Sequence, residues 1–179
     1  EDKYKYLNSQ LTADLTSLEP AKACFACHCD AKGKVWAMSY IVPFQDSLLL
    51  FQHSSTIEKS LAELKKFGVF SKVEMAVSPL QFSFSITETT AELHQVKQDP
   101  ITKVQMSANI CLSISEGEQP ADDIFVKALA DNLVPFITAA HQNEYVPQAI
   151  NAHALKAISF KKGCYMGQET VARMRYRGG

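Results

Sequence analysis

Two strand-like runs on either side of a four-residue turn constrain this chain more than any other feature. Ala23-Cys24-Phe25-Ala26-Cys27-His28-Cys29 and residues 34–44 are dominated by residues that suit a pleated, half-buried surface. Between them lies Asp30-Ala31-Lys32-Gly33, where glycine supplies the positive φ that tight turns need. The pair reads as an antiparallel hairpin, and Ser47–Phe51 reads as a third strand returning alongside it.

The remainder mixes helix and strand periods. Tyr4, Leu7, Leu11 and Leu15 recur at helical spacing and predict an amphipathic helix at the start. Ser55 with Glu58 three residues later matches a capping box, and the following helix carries Ile57, Leu61, Leu64 and Phe67 on one face. Gly68 is its expected end. Residues 72–77 and Gln81–Ile86 are strand candidates, the latter alternating Phe82, Phe84 and Ile86 with polar residues. Residues 102–115 have room for two short strands, and 121–130 reads as a helix burying Ile124, Phe125, Ala128 and Leu129. Hairpins without regular βαβ alternation predict an α+β fold with mainly antiparallel sheets. The expected organisation is a discontinuous first domain, 1–80 with 133–179, around a smaller α+β domain at 81–132.

Charge and glycine are distributed unevenly. The formal net charge is −1, yet the stretch from Lys156 to Arg177 holds six basic residues and one acid. The rest of the chain is therefore acidic. Four of the seven glycines, Gly163, Gly167, Gly178 and Gly179, fall in the same region. No apolar run approaches the ~18–20 residues of a membrane span, and nothing at the start resembles a signal peptide.

The five cysteines are Cys24, Cys27, Cys29, Cys111 and Cys164. An odd number argues against a disulfide framework and for a reducing, cytosolic setting. Cys24-x-x-Cys27-x-Cys29 invites a metal reading, but a structural zinc site draws four ligands from two separated pairs, and the second pair is absent. A strand would also aim Cys24 at one face and Cys27 and Cys29 at the other. Core packing is the expected role, with no metal. His53, His94, His141 and His153 have no ligand spacing.

Lys161-Lys162-Gly163-Cys164-Tyr165-Met166-Gly167-Gln168-Glu169-Thr170-Val171-Ala172-Arg173 is different in kind. Two glycines around a cysteine imply a tightly turned backbone, or one that something approaches closely. Residues 168–176 read as a helix with Gln168 and Glu169 in the first turn. Arg173, Arg175 and Arg177 lie toward the other end, a polarity that suits the helix dipole. Cys164 falls just before the positive end with Lys161 and Lys162 beside it, the setting of reactive cysteines. On spacing alone, a capped helix with a buried cysteine, or a phosphate-binding basic helix, fits as well.

Lys162-Gly163-Cys164-Tyr165-x-Gly167-Gln168-Glu169-x-x-x-Arg173, followed by Arg177-Gly178, resembles the signature of the YgfZ family. Those are folate-binding, tRNA-modifying proteins related to the aminomethyltransferase (T-protein) of the glycine cleavage system. Tyr6-Leu7-Asn8-Ser9-Gln10-Leu11-Thr12-Ala13-Asp14 resembles the family's early segment, and His28-Cys29-Asp30-Ala31-Lys32-Gly33-Lys34-Val35-Trp36 its hairpin. The stretches around 63–73 and Val146-Pro147-Gln148-Ala149 are similar as well. Against the family pattern the junction Asn132-Leu133 is abrupt, as though a stretch lining the folate pocket were omitted. A C-terminal β-barrel part would begin soon after Gly179.

The resemblance implies a ring-like aminomethyltransferase architecture, tetrahydrofolate as ligand, and a cytosolic accessory role in tRNA modification and iron–sulfur enzyme maintenance. Partners would be folate and tRNA or a tRNA-modifying iron–sulfur enzyme, with no membrane and a monomeric state. Cys164 is the expected functional thiol, with Lys162, Gln168, Glu169 and Arg173 around it. Gly163, Tyr165, Gly167, Asp30 and Lys32 are the candidate folate-side residues. No complete catalytic constellation is visible; a thiol at Cys164 beside a folate site could handle one-carbon or sulfur/iron chemistry. Two alternatives stay open: a folate-dependent aminomethyltransferase with Asp14 or Asp30 as the carboxylate, and a tRNA-binding module using Lys161, Lys162, Arg173, Arg175 and Arg177.

Overall fold

The computed structural model describes residues 2–86, 92–98, 100–115, 129–135 and 137–177. Helix α1 (Asp2–Gln10) leads into a three-stranded sheet, β1 (Cys24–Cys29), β2 (Val35–Phe44) and β3 (Ser47–Phe51), in that order and antiparallel throughout. Helix α2 (Ser54–Gly68) follows. A second antiparallel sheet takes the order β4-β7-β6-β5, from β4 (Gln81–Ile86), β5 (Val96–Lys97), β6 (Thr102–Gln105) and β7 (Ile110–Ser115). Two 3₁₀ turns, Ala139–His141 and Pro147–Ile150, precede helix α3 (Gln168–Arg177). The architecture is α+β with antiparallel sheets, as the strand and helix periods indicate.

The first hairpin forms as expected. Gly33 sits at φ +76°, and the Asp30 carboxylate accepts the amides of Lys32 and Lys34 at 2.9 and 2.8 Å. Strand alternation then separates the cysteines. Cys27 and Cys29 join the larger core with Phe25, Val35, Tyr40 and Val42. Cys24 packs on the smaller core of Tyr6, Leu7, Leu11, Leu15, Ile41 and Leu64. Burial pushes the Cys24 and Cys27 thiols up to about 12, so both are protonated filler at neutral pH. The larger core also takes in Val104, Ile110 and Leu112 of the second sheet, and Ala157, Tyr165 and Val171 near the C-terminal helix. This shared interior is what holds the C-terminal motif against the first hairpin.

Several local expectations fail for tertiary reasons. Helix α1 stops at Gln10 instead of running to Leu15, because Leu11 leaves it to bridge His28 on the edge of β1. The Thr12 amide then donates to the Cys27 carbonyl at 3.0 Å. Leu11 and Leu15 are still buried, in non-helical chain rather than on a helix face. The α2 cap is His53, whose Nδ1 accepts the Ser55 amide, so the Ser55/Glu58 capping box does not form. The Ser55 hydroxyl accepts the Ala139 amide instead. Phe67 does not share the buried face of Leu64. Residues 72–77 form no strand; Val73 and Met75 pack on the smaller core, but among the described residues no strand pairs with this stretch. In β4, Phe84 is half-buried while Phe82 and Ile86 stay exposed. Most of the helix expected at 121–130 lies outside the described residues.

Candidate functional site

The segment 157–167 is sewn to the chain just after α1. The Ser159 amide donates to the Thr12 carbonyl at 2.8 Å, and the Thr12 hydroxyl donates to the Ala157 carbonyl at 2.5 Å. The Met166 amide donates to the Ser9 carbonyl at 3.2 Å. Lys162 supplies the strongest link. Its buried ammonium donates to the carbonyls of Asn8, Leu11 and Ala13 at 2.5, 2.8 and 2.6 Å, and lies 5.0 Å from the Tyr165 ring centroid. Three donors meet three acceptors, so the group is fully used. Burial lowers its pKa to about 8, with the nearby Asp14 carboxylate opposing that shift. This geometry makes Lys162 a positioning residue for the loop.

Cys164 stands at the outside of this pinned loop. It is the exposed member of the five cysteines; Cys27 and Cys29 are buried, and Cys24 and Cys111 are half-buried. Gly163 beside it is exposed too, and a Cβ built there would meet no atom within 4 Å. Nothing inside the described fold therefore demands glycine at that position.

Gly167 is the opposite case. It has φ +80°, and a Cβ on it would lie 2.5 Å from the Asp30 carbonyl oxygen and 2.8 Å from Gly33 Cα. A Cβ on Gly33 would meet Thr170 Cβ at 2.9 Å. The start of α3 thus rests directly on the turn of the first hairpin. The other Asp30 oxygen accepts the Asn143 side-chain amide at 2.8 Å, a clamp that spacing alone did not reveal.

The structure therefore brings Asp30, Gly33, Gly167 and Thr170 together, while Lys32 points outward, exposed. Tyr165 is buried in the larger core, where desolvation raises its hydroxyl pKa. Gln168 opens α3, and Glu169 is held by Arg173 at 2.6 Å on the exposed face. Arg175 lies 4.1 Å over the Phe160 ring. On α3's inner side Gln148 donates to the Val171 carbonyl at 2.6 Å. Among the described residues the buried side-chain oxygens of Gln10 and Gln148 have no hydrogen-bond partner.

The two candidate carboxylates are both occupied. Asp30 is engaged as above. Burial would raise the Asp14 pKa, but hydrogen bonds from Thr16 and Ser17 prevail and lower it, which weakens it as a base. Among the described residues no three His, Cys, Asp or Glu side chains are grouped to hold a metal ion, and no helix is long and apolar enough to cross a membrane.

A separate open groove of about 740 Å³ lies between β3, α2 and residues 72–80. Leu48, Leu50, Leu61 and Leu64 line it with Phe44, Phe51 and Phe82, and Lys3 and Lys72 stand among its polar residues. None of the motif residues 161–173 borders it.

No family model matches the chain. Curated relatives do. It is 36% identical over 199 residues to the tRNA-modifying protein YgfZ of Aliivibrio fischeri, an alignment covering 99% of this chain and 63% of that relative. Identity to the protein of the same name from Vibrio vulnificus is 38%, covering 99% of this chain and 62% of the relative. For Colwellia psychrerythraea the values are 36%, 99% and 64%. The chain thus spans less than two thirds of the length of these relatives.

Proposed function

Because the chain belongs to the YgfZ family across 99% of its length, we propose that it acts in tRNA modification as a folate-binding accessory factor, with Cys164 as its working thiol. The observation that carries this reading is the contrast within one loop. Lys162, Ser159 and Met166 are pinned to the 9–13 region or its flanks, while Cys164 alone among the cysteines faces solvent. A rigid frame presenting one free thiol is what a group-handling or relay cysteine requires. The setting is cytosolic, the partner enzyme is an iron–sulfur enzyme whose upkeep the protein assists, and the architecture is of the aminomethyltransferase kind.

The groove beside β3 supports the folate part. Its volume falls in the ~300–1,000 Å³ range of small-molecule sites. Phe44, Phe51 and Phe82 would flank a flat heteroaromatic ring, and Lys3 would meet a carboxylate tail. Bound folate would supply one-carbon chemistry; the chain itself supplies an apolar slot and a cation.

Two measurements test the proposal. Complementation of a strain defective in tRNA thiomethylation should fail with Cys164→Ala and succeed with the unaltered sequence; full activity of the variant would remove the thiol from the function. Titration with 5-formyltetrahydrofolate, followed by Trp36 fluorescence or calorimetry, should saturate, and Phe82→Ala should weaken it. No saturation would overturn the folate part.

A further inference from the structure

The end of α2 exposes an aromatic knob that neither the Cys164 loop nor the groove accounts for. Phe70 is 99% exposed and Phe67 50%, with Val69 exposed between them. Lys65, Lys66 and Lys72 surround them and are exposed as well. No acidic residue lies between Leu64 and Val73. Glu63, just before, is already held by Lys66 at 2.7 Å and Lys59 at 3.0 Å. Among the described residues Lys65 and Lys72 have no such carboxylate partner, although the chain outside its C-terminal stretch is acidic overall.

The knob is also tied to the Cys164 loop through α1. The Tyr6 hydroxyl donates to the Leu64 carbonyl, and Gly68 lies against Tyr6. One helical turn further on, the Ser9 and Asn8 carbonyls receive Met166 and Lys162 from the loop. A single nine-residue helix therefore fixes both features with respect to one another.

We propose that Phe67 and Phe70, with Lys65, Lys66 and Lys72, form a docking site for unpaired RNA nucleotides, on the segment that α1 ties to the Cys164 loop. The inference rests on the tRNA reading above and names the contact. An aromatic side chain held fully in water offers a face on which any base can stack, and flanking lysines neutralise the phosphates on either side. The positive surroundings favour a polyanion over an apolar protein surface.

The test is fluorescence anisotropy with a labelled twelve-nucleotide oligouridylate and with an unmodified tRNA transcript, using the full chain. Phe70→Ala should weaken oligouridylate binding at least about fivefold, and Phe70→Trp should restore it. The triple variant Lys65→Gln, Lys66→Gln, Lys72→Gln should flatten the salt dependence, by about 0.7 in log–log slope for each phosphate that no longer meets a lysine. All these side chains are exposed, so unchanged circular dichroism would verify intact folding. Wild-type affinity in every variant would overturn the site, as would absence of RNA binding by the unaltered chain. In either case complementation through Cys164 could still succeed, so the two readings fail separately. Unchanged RNA binding with loss of a protein partner would assign the knob to that partner and overturn the proposal.

Discussion

Gly33 and Gly167 meet backbone to backbone, the second with its Cβ position 2.8 Å from the Cα of the first. This contact lets the helix carrying the arginines sit on the first hairpin turn, and it leaves no space for any side chain at either position. Gly167→Ala should destabilise the fold by about 3 kcal/mol or more, combining positive-φ strain with a backbone clash. Gly163→Ala should leave stability unchanged, since its Cβ would enter open space. Urea unfolding of the two variants side by side checks the contrast; equal loss would show that the loop is packed differently.

Lys162 is a second place where a single side chain holds distant segments. Lys162→Met should cost roughly 3 kcal/mol, because three buried or half-buried carbonyls lose their donor. Lys162→Arg should not restore stability, since a planar fork cannot aim at three converging oxygens as an ammonium does. Thermal melting of both variants decides this, and full stability in Lys162→Met would remove the clamp role.

His28 makes stability depend on pH in a defined window. Desolvation between β1 and α2 lowers its pKa from 6.5 to about 4, and its Nδ1 lies 2.9 Å from the Ser60 hydroxyl. Between those two values the unfolded chain takes up a proton that the folded one refuses. Stability is therefore complete above about 6.5 and falls with acidification, by roughly 3 kcal/mol at most for this group. Desolvation lowers the His94 pKa as well and adds in the same direction. Urea midpoints at about pH 7 and about pH 4.5 should differ clearly, and His28→Gln should reduce the difference. A flat profile in the unaltered protein would contradict the assignment.

Exposure sets the order of thiol reactivity. Iodoacetamide at neutral pH should label Cys164 first, Cys111 more slowly and Cys27 and Cys29 only in denaturant. Mass spectrometry of timed digests reads this directly. Equally slow labelling of Cys164 and Cys111 would mean that the loop thiol is shielded.

Much of the architecture was legible locally. The Asp30–Gly33 turn, the three strands around it, the pair within 102–115 and the start of α3 at Gln168 all follow from short-range period and turn chemistry. The opposite facing of Cys24 from Cys27 and Cys29 follows from strand alternation alone. The Lys-Gly-Cys segment announced itself by composition. Local reading failed at 11–15 and 72–77, where Leu11, Leu15, Val73 and Met75 do pack on the smaller core but no helix or strand formed around them. His53 as a cap was hidden because histidine is not a usual cap residue.

Hydrophobic period and unusual composition are local properties, so they were enough to mark most of the buried strand residues and the segment that presents Cys164. Three roles came only with the folded chain: Lys162 as a clamp, Gly167 answering to Gly33 while Gly163 answers to nothing within 4 Å, and Cys164 as the thiol left in solvent. Each depends on carbonyls, backbone or packing from a distant part of the chain, and no spacing along the sequence encodes the partner's position.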